Sequence, residues 1–146
     1  MPMPIKIAKE FHWEMAHRLP LHKGGCENLH GHSYRLWIEL EGSTTDQGMV
    51  MDYADLKKIA KPMVDELDHS FICSSDDEIM QEFLKRQPFK TVYVDFPTTA
   101  ENLAKYFLER LKLQLSHVRS IRRLKIRVCE TASSYAEIEC ELPSHE

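Results

Sequence analysis

The sequence predicts an α+β fold, an antiparallel sheet covered by helices on one side. Three observations carry this. Two runs of alternating apolar and polar residues open the chain, two long amphipathic segments with helical period fill its middle, and two further alternating runs close it. The order is ββ, helices, ββ.

In the first run, "IKIAKEFHWEMAH" (5–17), Ile5, Ile7, Phe11, Trp13 and Met15 share a face, with Lys9 as the exception, and continuing the alternation brings His17 to that face. The second run, "HGHSYRLWIELE" (30–41), puts His30, His32, Tyr34, Leu36, Ile38 and Leu40 on one face and Ser33, Arg35, Glu39 and Glu41 on the other. Both apolar faces therefore end in histidine. If the two strands pair antiparallel, as neighbours usually do, these ends meet and three imidazoles converge beneath the 18–29 loop that carries Cys26.

Residues 52–69 read as a helix with Asp52 at its N-cap, Asp55 in its first turn and Pro62 expected to kink it. A short helix is expected within 76–86 and a strand over 91–96. In the next long helix, "PTTAENLAKYFLERLKLQL", Thr98 and Glu101 have the spacing of a capping box. In the closing strands Leu124, Ile126, Val128 and Glu130 share one face, and Ala136, Ile138 and Cys140 another. A carboxylate ending an apolar strand face is as anomalous as the histidines.

With 146 residues, 42% of them apolar and 29% charged, the composition fits a single globular domain, here 1–146. A net charge of −4 with histidines neutral gives no general electrostatic case for nucleic acid or an anionic membrane. Apolar runs all fall short of the ~20 residues of a membrane span, and the N-terminal residues lack a signal-peptide apolar core. A cytoplasmic protein is expected. Cys26, Cys73, Cys129 and Cys140 contain no C-x-x-C, and disulfides are not expected.

Three neutral imidazoles suit Zn²⁺ with one position left open, the arrangement of a catalytic site; the bland alternative is three histidines that happen to share a face. The Cys26 thiol can act as base or nucleophile, as a zinc ligand, or as an ordinary loop cysteine, and spacing does not choose among these. Asp68 beside His69 has the form of a carboxylate that orients an acid–base histidine, although such pairs also arise by chance at helix ends. Glu130 can accept two parallel N–H bonds from a planar ring such as a pterin, or it can point to solvent where the strand ends.

Taken together, "WEMAHRL", "CENLHGHSY", "DYADLK", "LDHSF", "PTTAENLA" and "CETASS", in this order over nearly the whole chain, resemble the 6-pyruvoyl-tetrahydropterin synthase / 6-carboxytetrahydropterin synthase family. The resemblance implies that His17, His30 and His32 hold Zn²⁺, and that Cys26, Asp68 and His69 form the acid–base machinery. It also implies that Glu130 anchors the pterin ring, with Thr99 and Glu101 lining the same pocket. The implied fold is the tunnelling fold, ββααββ subunits whose sheets join into a barrel as a homo-oligomer, a hexamer, with active sites between subunits.

The short gap between Cys26 and His30 resembles the 6-carboxytetrahydropterin synthase branch, which acts on 7,8-dihydroneopterin triphosphate in queuosine biosynthesis. The alternatives are the 6-pyruvoyl activity on the same substrate and a non-catalytic zinc- or pterin-binding module. Arg18, His22 and Lys23 are the basic residues near enough to be candidates for the triphosphate.

Overall fold

The structure, a computed structural model, describes residues 3–143. In chain order its elements are β1 (Ile5–His17), β2 (His30–Gly42), α1 (Tyr53–Leu67), β3 (Ser70–Ser74), α2 (Glu78–Leu84), β4 (Thr91–Val94), α3 (Ala100–Leu115), β5 (Ile121–Thr131) and β6 (Ser134–Glu141). They form one six-stranded sheet in the order β4-β3-β1-β2-β5-β6. The pairs β1/β2, β2/β5 and β5/β6 are antiparallel, as the alternating runs require.

Burial follows the alternation. Phe11, Trp13, Met15 and His17 point inward from β1, and Tyr34, Leu36, Ile38 and Leu40 from β2. Leu124, Ile126 and Val128 continue the same layer on β5. On this face lie α1, through Leu56, Ala60, Met63, Val64 and Leu67, and α3, through Leu103, Phe107 and Leu111. Trp13 stacks on Tyr34 at 4.9 Å between ring centroids and meets the edge of Phe107 at 5.5 Å. The opposite face is polar. There Arg123 pairs with Glu41 and Glu141, and Lys125 with Glu39 and Glu139, across three adjacent strands.

The structure adds to the expected plan in the 70–94 segment. Strand β3 joins the sheet parallel to β1 and β4 joins parallel to β3, so the complete sheet is mixed rather than wholly antiparallel. A parallel pair needs a crossover, and α2 supplies it between β3 and β4. Alternation along β3 sends Ile72 to the main core, while Phe71 and Cys73 face the other way and pack with Met80 and Leu84 of α2. The short helix therefore lies on the face away from α1 and α3. Asp52 caps α1 by accepting the Ala54 N–H at 2.8 Å, as expected, and Pro62 lies inside the helix. A smaller difference concerns the next long helix. The cap of α3 is Thr99, which accepts the Asn102 N–H at 3.2 Å, and not Thr98, whose hydroxyl is diverted elsewhere.

Among the described residues, β6 has no neighbour along its outer side, and β1 pairs with β3 only through Met15 and Ala16. Two long edges of the antiparallel part of the sheet are thus open for pairing. All four cysteines are free.

Gly42 ends β2 where the register with β5 shifts, and a Cβ there would sit 1.8 Å from the backbone oxygen of Ser120. That oxygen also accepts the Ser43 N–H at 2.9 Å, so it cannot retreat without losing the bond. Gly42→Ala should destabilise the protein by about 1–3 kcal/mol or more, as overpacking against fixed backbone does. Urea denaturation of the two proteins side by side measures it; equal midpoints would show that the turn yields.

Candidate functional site

The antiparallel register places His17 opposite His30 and Met15 opposite His32. The three imidazoles form a cluster with ring centroids 4.6, 5.2 and 4.9 Å apart for the pairs 17/30, 17/32 and 30/32. One nitrogen from each lies within 4.8 Å of the others, and this is the group among the described residues that can hold a metal ion.

Hydrogen bonds on the far side of the rings set their tautomers. His17 Nδ1 lies 2.8 Å from the carbonyl oxygen of Thr98, and His30 Nδ1 lies 2.8 Å from that of Asn28. A carbonyl only accepts, so both Nδ1 atoms carry the proton and both Nε2 atoms present lone pairs. Thr98 is fully buried, and its hydroxyl oxygen also lies 3.2 Å from His17 Nδ1. Such outer partners orient metal-binding histidines.

On the inner side of the cluster the Nε2 atoms of His17 and His30 face in as acceptors. His17 Nε2 and His32 Nε2 are buried without a hydrogen-bond partner. Facing them is Oε1 of Glu130, 3.4 Å from the first and 3.5 Å from the second. Protonating the rings would relieve the conflict, but burial opposes it. Burial pushes the His17 pKa from 6.5 to about 4; the bond to Thr98 works against this and neighbouring His30 and His32 add to it. His32 is also lowered, by burial first, with Glu130 acting in the opposite sense. Burial, with the Glu130 carboxylate adding, raises the Tyr34 phenol well above its ordinary value, so it remains neutral. Imidazole nitrogens and a carboxylate gathered around one point are the electrostatic complement of a cation. The donor set fits a divalent metal that favours imidazole nitrogen.

The other candidates lie around this centre. Cys26 is half-buried in a short 3₁₀ turn (Gly25–Glu27), and its backbone oxygen accepts the Leu19 N–H at 2.7 Å, folding the loop back on the end of β1. Its sulfur is not part of the metal-capable group. Asp68 follows α1 and its Oδ1 accepts the Glu14 N–H at 2.9 Å while lying 3.0 Å from His69 Nδ1. The Glu14 N–H holds the Asp68 carboxyl below the usual carboxylate range, with His69 and Lys90 acting in the same direction. His69 itself is exposed and lines a cavity of about 820 Å³ together with His32, Glu14, Ser33 and Lys90 over an apolar floor. Thr99 faces a smaller cavity of about 250 Å³ beside Leu19 and His22. Glu101 opens onto a third cavity with Lys105 and Tyr135, away from the histidines within this chain.

Arg18 is engaged within the chain. Its Nε and Nη2 bind both oxygens of Asp77 at 2.7 and 3.0 Å, and Nη1 donates to the Glu27 carbonyl at 3.0 Å. Asp77 is buried, and the guanidinium braces the Cys26 loop against it. Thr98 and Asp77 meet His17 and Arg18 across 81 and 59 positions of sequence, which no local pattern signals, and the Asn28 carbonyl is a backbone group that any residue would supply.

The sequence profile described as 6-pyruvoyl tetrahydropterin synthase matches residues 6–141. A protein of Haemophilus influenzae named 6-carboxy-5,6,7,8-tetrahydropterin synthase is 39% identical over 92% of this chain and 99% of its own length. One of the same name from Aquifex aeolicus is 34% identical, covering 95% of this chain and all of its own, 100%. Among solved structures, 6-pyruvoyltetrahydropterin synthase of Plasmodium vivax shares the fold with a TM-score of 0.79 at 22% identity, over 96% of this chain and 99% of the other. The Caenorhabditis elegans 6-pyruvoyl tetrahydropterin synthase aligns with a TM-score of 0.68 at 27% identity, over 95% and 97% of the two chains. With the profile running from β1 to β6 and enclosing the histidine cluster, this chain belongs to the 6-pyruvoyl tetrahydropterin synthase family.

Proposed function

We propose that the protein is a zinc-dependent 6-carboxy-5,6,7,8-tetrahydropterin synthase. It converts 7,8-dihydroneopterin triphosphate to 6-carboxytetrahydropterin, with loss of acetaldehyde and triphosphate, as a cytoplasmic step of queuosine biosynthesis. The observation that carries this reading is the cluster of His17, His30 and His32, with the Nε2 atoms of His17 and His32 buried and unpartnered, in a chain whose relatives above 30% identity bear that name.

Zinc would be held by His17, His30 and His32, and when bound it supplies Lewis acidity to the side chain of the substrate. The chain's own residues do the rest. The carbonyls of Thr98 and Asn28 keep the Nε2 lone pairs of His17 and His30 turned to the metal. Cys26, as thiolate, takes a proton from the substrate side chain, and His69, oriented by Asp68, returns one. Glu130 accepts N–H groups of the pterin ring, and Thr99 and Glu101 complete the wall of its pocket. His69 shares a cavity with His32, whereas Glu101 opens away from the cluster in the single chain, and this separation supports a site completed between subunits of a hexamer. The open edges of β1 and β6 supply the surfaces for that ring of subunits.

Three expected outcomes test this reading. Purified protein should hold about one zinc per chain; His30→Ala should lose it and Cys26→Ala should keep it, read by elemental analysis. Loss of zinc from Cys26→Ala would make the thiol a ligand instead of a base. With 7,8-dihydroneopterin triphosphate, mass spectrometry should find a 6-carboxy pterin, and Cys26→Ala should lose roughly 10²–10⁴-fold in turnover. A 6-pyruvoyl product would transfer the protein to the other activity of its family, and no conversion by zinc-loaded protein would make it a binding module. Light scattering should give a hexamer at micromolar concentration; a stable monomer would contradict a site shared between subunits.

A further inference from the structure

The peptide joining Asp68 to His69 is held from both ends. Its N–H, on His69, donates to the Glu14 carbonyl at 2.6 Å. Its C=O, on Asp68, accepts from Lys90 Nζ at 2.7 Å, and the same ammonium donates to the Asp65 carbonyl at 2.7 Å. His69 is the non-glycine residue with positive φ among the described ones, at 58°. That left-handed conformation is uncommon for a residue with a Cβ and persists where surrounding contacts impose it. The Asp65 carbonyl lies in the last turn of α1, where helix oxygens lack an intrahelical partner and a cation is favoured. Lys90 therefore closes the end of α1 and fixes the plane from which the His69 side chain departs. Its own backbone is placed independently, because its carbonyl accepts the Phe71 N–H at 3.0 Å as β4 approaches β3.

We propose that Lys90 is a positioning residue for His69, acting through the 68–69 peptide. The inference rests on the proton-transfer role proposed for His69. Lys90 stands at the end of the segment that leads from α2 into β4, so this added part of the fold reaches the proposed acid–base pair through one side chain. The Lys90 ammonium also favours the ionised form of Asp68, which serves the same orientation.

The test uses the zinc-loaded oligomer and compares Lys90→Met, Lys90→Arg and His69→Ala with the natural chain. Lys90→Met keeps the length and apolar stem of the side chain but cannot donate. It should lower kcat roughly 10–100-fold, the scale of a small misplacement of a reacting group, with KM and zinc content nearly unchanged. The His69 backbone amide, read by hydrogen exchange, should exchange faster in Lys90→Met as its bond to Glu14 loosens. Lys90→Arg, which retains donors for two carbonyls, should restore most of both properties. Unchanged kcat and unchanged exchange in Lys90→Met, with His69→Ala inactive, would overturn the proposal and leave the role of His69 standing. Full turnover in His69→Ala would instead overturn the role of His69 and with it the catalytic meaning of the clamp. Whether the clamp exists is judged separately by the exchange rate.

Discussion

The pairing of β1 with β2 is the constraint on which the rest of the site depends. Thirteen residue pairs run without interruption from Ile5–Gly42 to His17–His30, and the same register that buries Trp13, Tyr34, Leu36 and Ile38 brings His17, His30 and His32 together. A slip of one residue would turn every side chain of one strand to the other face, exposing the apolar layer and separating the histidines at once. Core and histidine cluster are thus specified by the same set of backbone hydrogen bonds. Tight packing of α1 and α3 against that layer holds the register, and so holds the three imidazoles together.

The polar groups of the site show a division of labour. Groups that can donate, at His17 Nδ1 and His30 Nδ1, are spent on the Thr98 and Asn28 carbonyls, on the side away from the centre. What remains at the centre is the unpartnered Nε2 atoms of His17 and His32 beside the Glu130 carboxylate. Burial lowers the His17 pKa to about 4, which favours its neutral, cation-binding form. Glu130 sits at the edge of this arrangement, close enough to sense the charge at the centre and exposed enough to meet a ring from outside.

The parts of this site that could be seen in the sequence are those governed by strand period. His17, His30, His32 and Glu130 each continue an apolar alternation, and two strands joined by a short loop bring their ends together by geometry alone. Asp68 and His69 were legible as neighbours, but not as a peptide clamped by Glu14 and Lys90, because those contacts cross 22 to 55 positions of sequence. Thr98 was read as a helix cap from its spacing to Glu101. In the structure its hydroxyl lies between His17 Nδ1 and the Arg18 carbonyl, and Thr99 caps the helix in its place. Strand β3 carries no alternation in the sequence for a different reason: Ile72 enters the main core while Phe71 and Cys73 pack with α2, so apolar side chains fall on both faces.

The Arg18–Asp77 pair has a consequence for how such chains vary. The guanidinium is partly covered and the carboxylate almost wholly so, and together they join the loop bearing Cys26 to the first turn of α2. Removing either partner alone leaves a charge stranded in the interior, whereas replacing both by well-packed apolar residues can be nearly neutral for stability. Drift at the two positions is therefore coupled: a chain that loses the carboxylate, or the whole β3–α2–β4 excursion, must find its arginine another acceptor or give up the arginine. Positions 18 and 77, 59 residues apart, are thus coupled in stability, and the low-cost change at either is a double one.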